Sequence, residues 1–223
     1  MTYDEVKAMV ADYLNRDDLT TQIPNFIQLA QRRIERGGEY VVGGKTVLIR
    51  GYFDAMKTRR YTTTDDYLIT LPSDYFAPIS MFVLIDGAYH PVTYKTPEEI
   101  WTNYPDPTNH VGVPKEFTVL IGENQIVTRP TPDQEYTFDF QYFKNVTVLS
   151  DGADTNWWSI NAWELLVYGA LLEAQPFLMN DERLGTWLAL FAGSLDALEN
   201  RDERAKAGTT PLCVKPYMTD GDE

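Results

Sequence analysis

Cysteine is almost missing from this sequence: Cys213 is the single one among 223 residues. One thiol excludes an internal disulfide and a cysteine-based metal site within one chain. It also agrees with assembly in a reducing cytosol. Histidine is nearly as scarce, with only His90 and His110. Neither has a second His or a Cys at ligand spacing, so zinc chemistry has no footing. Apolar runs are short, and none approaches the roughly 20 residues needed to span a bilayer. The opening Met1-Thr2-Tyr3-Asp4-Glu5 is acidic and does not read as a signal peptide. The expectation is a soluble protein, made in the cytosol, with no membrane partner. Positive charge is also short: 19 Lys and Arg face 33 Asp and Glu, a net charge of −14. General binding to nucleic acid, whose phosphates need cations, is disfavoured. Acidity commonly serves solubility. A narrower reading is a wall that DNA must slide past without sticking, and the charge total does not choose between the two.

Catalytic constellations are missing as well. There is no Gly-x-Ser-x-Gly elbow, and Gly193-Ser194 lies inside a helical pattern rather than at a nucleophile turn. There is no phosphate loop; Gly43-Gly44-Lys45-Thr46 imitates its end but lacks the first glycine. The pairs Asp17-Asp18, Asp65-Asp66 and Glu98-Glu99 are adjacent in sequence and read as turn and cap residues. No enzyme, cofactor or metal is expected.

What is present is a core. Apolar residues make up 43% of the chain and aromatics 13%, which excludes a disordered chain and supplies rings for packing or for protein interfaces. Thr2 followed by Glu5 is a capping box, and Val6, Met9, Val10, Tyr13 and Leu14 recur at helical spacing behind it. A second helix has Pro24 in its first turn, Phe26, Ile27, Ala30 and Ile34 on one face, and Gly37-Gly38 at its end. Residues 39–66 read as an extended hairpin or loop turning at Gly43-Gly44.

The middle, residues 67–150, is β-rich. Strands are expected over Tyr67-Leu71, Met81-Ile85, Tyr89-Tyr94, Phe117-Ile121 and Gln125-Arg129, with a hairpin turn at Asp86-Gly87 and a short helix capped by Thr96. Tyr136, Phe138, Phe140 and Tyr142 alternate with polar residues, placing four rings on one strand face as core. Residues 151–208 turn helical: one helix over 156–178, and another carrying Leu184, Trp187, Leu188, Phe191, Leu195 and Leu198. The tail, residues 209–223, has two prolines and no period, and reads as an extended arm or a disordered end.

The fold class expected is therefore α+β. Terminal helices, 1–38 and 151–208, would form a bundle beside a β-rich middle. Two basic groups stand out, Arg32, Arg33 and Arg36 at a helix end and Lys57, Arg59 and Arg60 after the hairpin. Charge balance explains them; a contact with an acidic partner or with DNA phosphate is the functional alternative. Trp101, Tyr104 and the pair Trp157-Trp158 would serve an exposed sugar platform, if the chain were a host-recognition module with a carbohydrate-binding β region. A cell-wall hydrolase with paired carboxylates across a cleft is the enzymatic alternative.

A set of landmarks occurs in order between residues 3 and 207. It begins with Tyr13-Leu14-Asn15-Arg16-Asp17-Asp18-Leu19, Gln22-Ile23-Pro24-Asn25-Phe26-Ile27 and Arg33-Ile34-Glu35-Arg36. It continues with Leu71-Pro72-Ser73-Asp74-Tyr75 and Pro130-Thr131-Pro132, and ends with Tyr168-Gly169-Ala170-Leu171-Leu172-Glu173-Ala174, Asp181-Glu182-Arg183-Leu184 and Trp187. This set resembles the head-to-tail adaptor, or connector, proteins of tailed bacteriophages. The resemblance implies a structural virion protein of the neck, made in the bacterial host cytoplasm. It implies a twelve-subunit ring that binds the portal protein, extends the DNA channel, helps retain the genome and forms the platform for tail or nozzle proteins. DNA would pass through without sequence-specific binding. Carried onto this chain, portal docking falls on the tail around Pro211, Leu212, Val214 and Pro216. Residues 37–60 depart from the pattern as an apparent insertion.

Overall fold

The first helix is stabilised at both ends. Thr2 Oγ1 accepts from the Glu5 backbone N–H at 3.4 Å, and the Glu5 carboxylate accepts from the Thr2 N–H at 2.8 Å, so two orphan donors are satisfied. Helix α1 (Tyr3–Leu14) then ends on Asn15 in the left-handed conformation. The structure of the protein is a computed structural model that describes residues 1–178 and 181–207. It is α+β, as expected. The chain divides into two compact units: one comprises Met1–Arg33, Gly38–Ile49 and the described chain from Trp158 on, the other Ile34–Gly37 and Arg50–Trp157. The tail expected over residues 209–223, an extended arm or a disordered end, lies outside the described residues.

The helical unit holds α1, most of α2 (Ile23–Arg36), the hairpin β1 (Gly38–Val42) and β2 (Lys45–Ile49), α5 (Trp163–Glu173) and α6 (Leu184–Ala207). Val6, Val10 and Leu14 of α1 are buried, as are Phe26, Ile27 and Ala30 of α2. Gly43 and Gly44 both have positive φ, 56° and 79°, the geometry that a two-residue hairpin turn requires. The single helix expected over 156–178 is two: α4 (Trp157–Asn161) and α5 are separated at Ala162, whose φ and ψ are −151° and 43°. Helix α5 is buried on nearly every side, with Leu165, Leu166, Val167, Ala170, Leu171 and Leu172 all in the core. A helix of that kind has no one-sided period to mark its start. It packs against α1 and α6, and the hairpin packs against α6.

Gly169 sets how close α2 and α5 come. A Cβ at this position would lie 2.9 Å from the Ala30 Cβ, with the Phe191 ring and the Tyr40 hydroxyl at 3.5 Å.

The β unit contains a seven-stranded sheet in the order β3-β9-β5-β6-β7-β8-β4. The strands are β3 (Lys57–Thr64), β4 (Leu68–Thr70), β5 (Tyr75–Ile85), β6 (Ala88–Tyr94), β7 (Glu116–Leu120), β8 (Gln125–Arg129) and β9 (Tyr136–Lys144). All pairs are antiparallel except β6 with β7. The two edge strands, β3 and β4, are consecutive in sequence, so the sheet curls back on itself and nearly closes. Strand β3 runs through the stretch that reads as an extended hairpin or loop in the sequence. Its residues are polar because it is an edge strand: Arg59 and Arg60 are exposed, and it pairs along its full length with β9 alone.

The inner face of the sheet carries the core. Tyr136, Phe138, Phe140 and Tyr142 of β9 are all buried there with Met81, Val83, Phe117 and Ile126. Pro78 sits in β5 between two register shifts, where a missing N–H is tolerated. Helix α3 (Pro97–Asn103), capped by Thr96 and Glu99, packs on β7 and buries Ile100.

Two predictions follow from this packing. Gly169→Ala gains about 1 kcal/mol of helix propensity but incurs about 1–3 kcal/mol of overpacking, so the net effect is destabilising; Gly169→Leu is worse. The urea midpoint of each variant reads this. The second concerns alkaline pH. Burial, then the Tyr94 and Tyr52 hydroxyls, push the Tyr75 hydroxyl up to about 12; burial, then the hydrogen bond to Asp74, push Tyr142 up to about 12. A raised folded-state pKa gives stability that is complete below the ordinary value of 10 and is lost as pH rises through about 12. Unfolding free energy measured in urea should therefore fall across that window, together with the late rise of tyrosinate absorbance.

Candidate functional site

Polar chemistry in this chain is spent mostly on holding elements together. In the helical unit, Glu173 at the end of α5 accepts two bonds from Arg33, from Nε at 2.6 Å and Nη2 at 3.1 Å, and one from the Tyr40 hydroxyl at 2.8 Å. Arg33 also donates to the Glu39 carbonyl at 3.0 Å and lies over the Tyr40 ring at 4.7 Å. Burial, reinforced by the Glu173 charge, pushes the Tyr40 hydroxyl far above its ordinary range. The triad joins α2, β1 and α5.

Arg183 does the same for α1. It donates to the carbonyls of Tyr13 at 2.9 Å and Leu14 at 3.4 Å, is held by Asp181 at 2.6 Å, and lies over the Trp187 ring at 5.0 Å. A cation on the last carbonyls of a helix also complements its dipole. The hydrogen bond from Arg183 holds the Asp181 carboxyl below its usual range.

In the β unit, Asp74 accepts from the Tyr142 hydroxyl at 2.9 Å, and its carbonyl accepts from the Asn145 N–H. Thr131 donates to the Pro107 carbonyl at 2.7 Å and accepts from Arg129 Nη1 at 2.8 Å, which ties β8 to the loop after α3. Arg129 itself is 1% exposed, between the rings of Tyr67 at 4.1 Å and Trp101 at 5.3 Å, with no carboxylate partner among the described residues. Burial pushes its pKa down.

The candidate contact residues end up in different settings. Arg33 is consumed by Glu173. Lys57 pairs with Asp54 at 2.6 Å, and Arg59 stands 3.8 Å from Asp139. Arg32, Arg36 and Arg60 are exposed, with no ion pair among the described residues. Arg60 lies opposite Phe140 and lines, with Thr62, Ile69 and Pro72, the narrow seam between the edge strands. Pro211, Leu212, Val214 and Pro216 are outside the described residues. The aromatic platform does not form as expected: Trp158 is fully buried in the helical core, and Trp157 is half-buried. Trp101 is exposed but lies on Arg129, and Tyr104 packs edge-on against His110. Side chains that sequence reasoning missed are Asp139 and Glu173. Both sit in runs whose neighbours are apolar, and that signal was available.

His90 and His110 are exposed and far apart in sequence; the His110 Nδ1 bonds only the Asp106 carbonyl. The acidic pairs act as turn and cap residues: Asp66 accepts from the Leu68 N–H, and Glu99 closes the α3 capping box. Among the described residues no three His, Cys, Asp or Glu side chains are grouped to hold a metal ion, and no helix is long and apolar enough to cross a membrane. An open groove of about 300 Å³ in the helical unit is lined by Glu164, Leu165, Ser194 and Leu198 among others.

Two units built for packing, with large apolar side chains left exposed, are what an assembly protein would present. The family comparison agrees: the chain matches the SU10 adaptor protein model over residues 1–214 and belongs to that family of phage adaptors, structural proteins of the virion. A search of curated proteins found no match. The quoted landmarks now have physical roles. Gly169 admits α2, Glu173 and Arg33 join helix to helix, Arg183 closes α1, Asp74 anchors Tyr142, and Thr131 holds a loop.

Arg183→Ala should therefore destabilise the helical unit by about 1 kcal/mol, a value discounted because the pair is half exposed. Thermal unfolding, with Arg183→Lys recovering only part of the loss, is the measurement.

Proposed function

We propose that this chain is the head-to-tail adaptor of a tailed bacteriophage. Copies bind the portal as a twelve-subunit ring, extend the DNA channel, help retain the packaged genome and form the platform for tail or nozzle proteins. The observation that carries this reading is the family match over residues 1–214. Several features support it. Leu29, Ile160, Phe177 and Leu190 are exposed apolar side chains of the helical unit, suited to contacts between subunits. The terminal helices act as the ring-building bundle. A net charge of −14 suits a channel wall that DNA passes without sticking.

The docking arm in this reading is the tail around Pro211, Leu212, Val214 and Pro216. Of the two basic groups, Arg32, Arg36 and Arg60 are the cations available to an acidic partner or to DNA phosphate, because Arg33, Lys57 and Arg59 have carboxylates beside them. Virion neck localisation and synthesis in the host cytoplasm go with the same reading.

The test is the mass of the protein alone and after mixing with the portal protein of the same genome. Co-elution as a ring complex with equal subunit numbers is expected, and removing residues after Gly208 should weaken it. Two species that run unchanged after mixing would overturn the reading.

A further inference from the structure

Asp139 breaks the rule that a buried carboxylate is fully hydrogen-bonded. It stands on β9, the strand between β3 and β5, and points to the outer face of the sheet, away from the aromatic core. The residue is 3% exposed, yet its Oδ1 atom has no hydrogen-bond partner. The nearest cation, Arg59, has its Nη1 3.8 Å from Oδ2, beyond hydrogen-bond reach, and is itself mostly in solvent. A buried carboxylate left this way is costly, and a donor arriving from outside would relieve it.

The surroundings show what kind of donor. Tyr61 lies directly opposite Asp139 on β3, and Phe82 lies directly opposite on β5. Tyr89, on β6, packs edge-on against Phe82 at 6.4 Å. The two tyrosines thus stand on the same outer face as the carboxylate, one on each side of it. They are also among the more exposed aromatics of the protein, at 46% and 54%. Tyr61 already has a guanidinium over its ring, that of Arg59 at 5.0 Å. An aromatic rim over a carboxylate floor selects a flat cation. A guanidinium can stack on the rings and give two N–H bonds to the carboxylate, whereas an ammonium gives point charge only. Tyrosine and arginine are also the residues that concentrate binding energy at protein interfaces. A nucleic-acid phosphate would meet the wrong sign of charge here.

We propose that this outer face, with Asp139 as floor and Tyr61 and Tyr89 as an aromatic rim, receives an arginine side chain of a partner protein. The proposal deepens the adaptor reading by naming the chemistry of one contact face. Its test involves no portal protein, so either can fail without the other.

The probe is N-acetyl-arginine methylamide, titrated through the millimolar range into the full chain, with the citrulline analogue as the uncharged control. Ring resonances of Tyr61, Phe82 and Tyr89 and the Asp139 amide report the site. Saturable shifts are expected with the arginine derivative, with binding about tenfold or more weaker for citrulline and loss of the shifts in Asp139→Asn. Tyr89→Ala, at an exposed position, provides a second variant if Asp139→Asn does not fold, and it should weaken binding while leaving thermal unfolding in place. No saturable shift, equal binding of citrulline, or shifts that survive in both variants would overturn the proposal.

Discussion

Glu173 presents a side chain only 9% exposed at the end of a helix whose other sides are already in the core. A carboxylate in that position is destabilising unless it is paired and hydrogen-bonded on every side. Arg33 and Tyr40 meet that requirement from two other elements, so the placements of α2, the β1–β2 hairpin and α5 are conditional on one another. The same two helix faces carry the closest approach in the unit. Ala30 and Arg33 are one turn apart on α2, Gly169 and Glu173 one turn apart on α5, and small residue meets small residue where charge meets charge. The β1–β2 hairpin is integrated here, because Tyr40 packs edge-on against Phe191 of α6 as well as bonding Glu173.

The β unit solves a different problem. A sheet that curls until its edges are neighbours buries one face completely, and the four rings of β9 fill that interior. Its outer face is then left to be covered by other means. Helix α3 covers the β7 side. Arg129 and Asp139 are the two charges buried on this outer side, and the contrast between them is informative. Arg129 is stacked between rings and ties down a loop, with its Nε left unpartnered. Asp139 has an unpartnered Oδ1 and no stacking cation, on the face that carries the exposed Tyr61 and Tyr89. For a protein of the adaptor family, whose work is contact, function lies in such faces rather than in a cleft.

Much of this was legible in the sequence, for local reasons. The capping boxes at Thr2 and Thr96, the turns at Gly43-Gly44 and Asp86-Gly87, and the alternation in β9 are short-range patterns that the chain obeys wherever it folds. Two elements were not delimited by the sequence, because their neighbours decide them. Lys57–Thr64 is polar and β-compatible, and only its pairing with β9 makes it a strand. The 156–178 stretch is apolar on all sides, so its period hides the break at Ala162. The tryptophan pair failed as a platform because burial, which no spacing reveals, takes Trp158 into the core.

Composition and local pattern by themselves determined that this chain is α+β, acidic, rich in packing residues and unable to form a disulfide within itself. Only the tertiary structure decided which charges are spent and which remain. Arg33 and Arg32 are adjacent in sequence and equally basic, yet one is bound within the fold and the other is exposed. Asp139 is one of 33 acidic residues; its neighbours Phe138 and Phe140 hint at burial, but the missing partner for its Oδ1 is decided only by the fold. The reason is physical: the cost and the reach of a charge depend on the dielectric and the partners around it, and those are supplied by strands and helices distant in sequence.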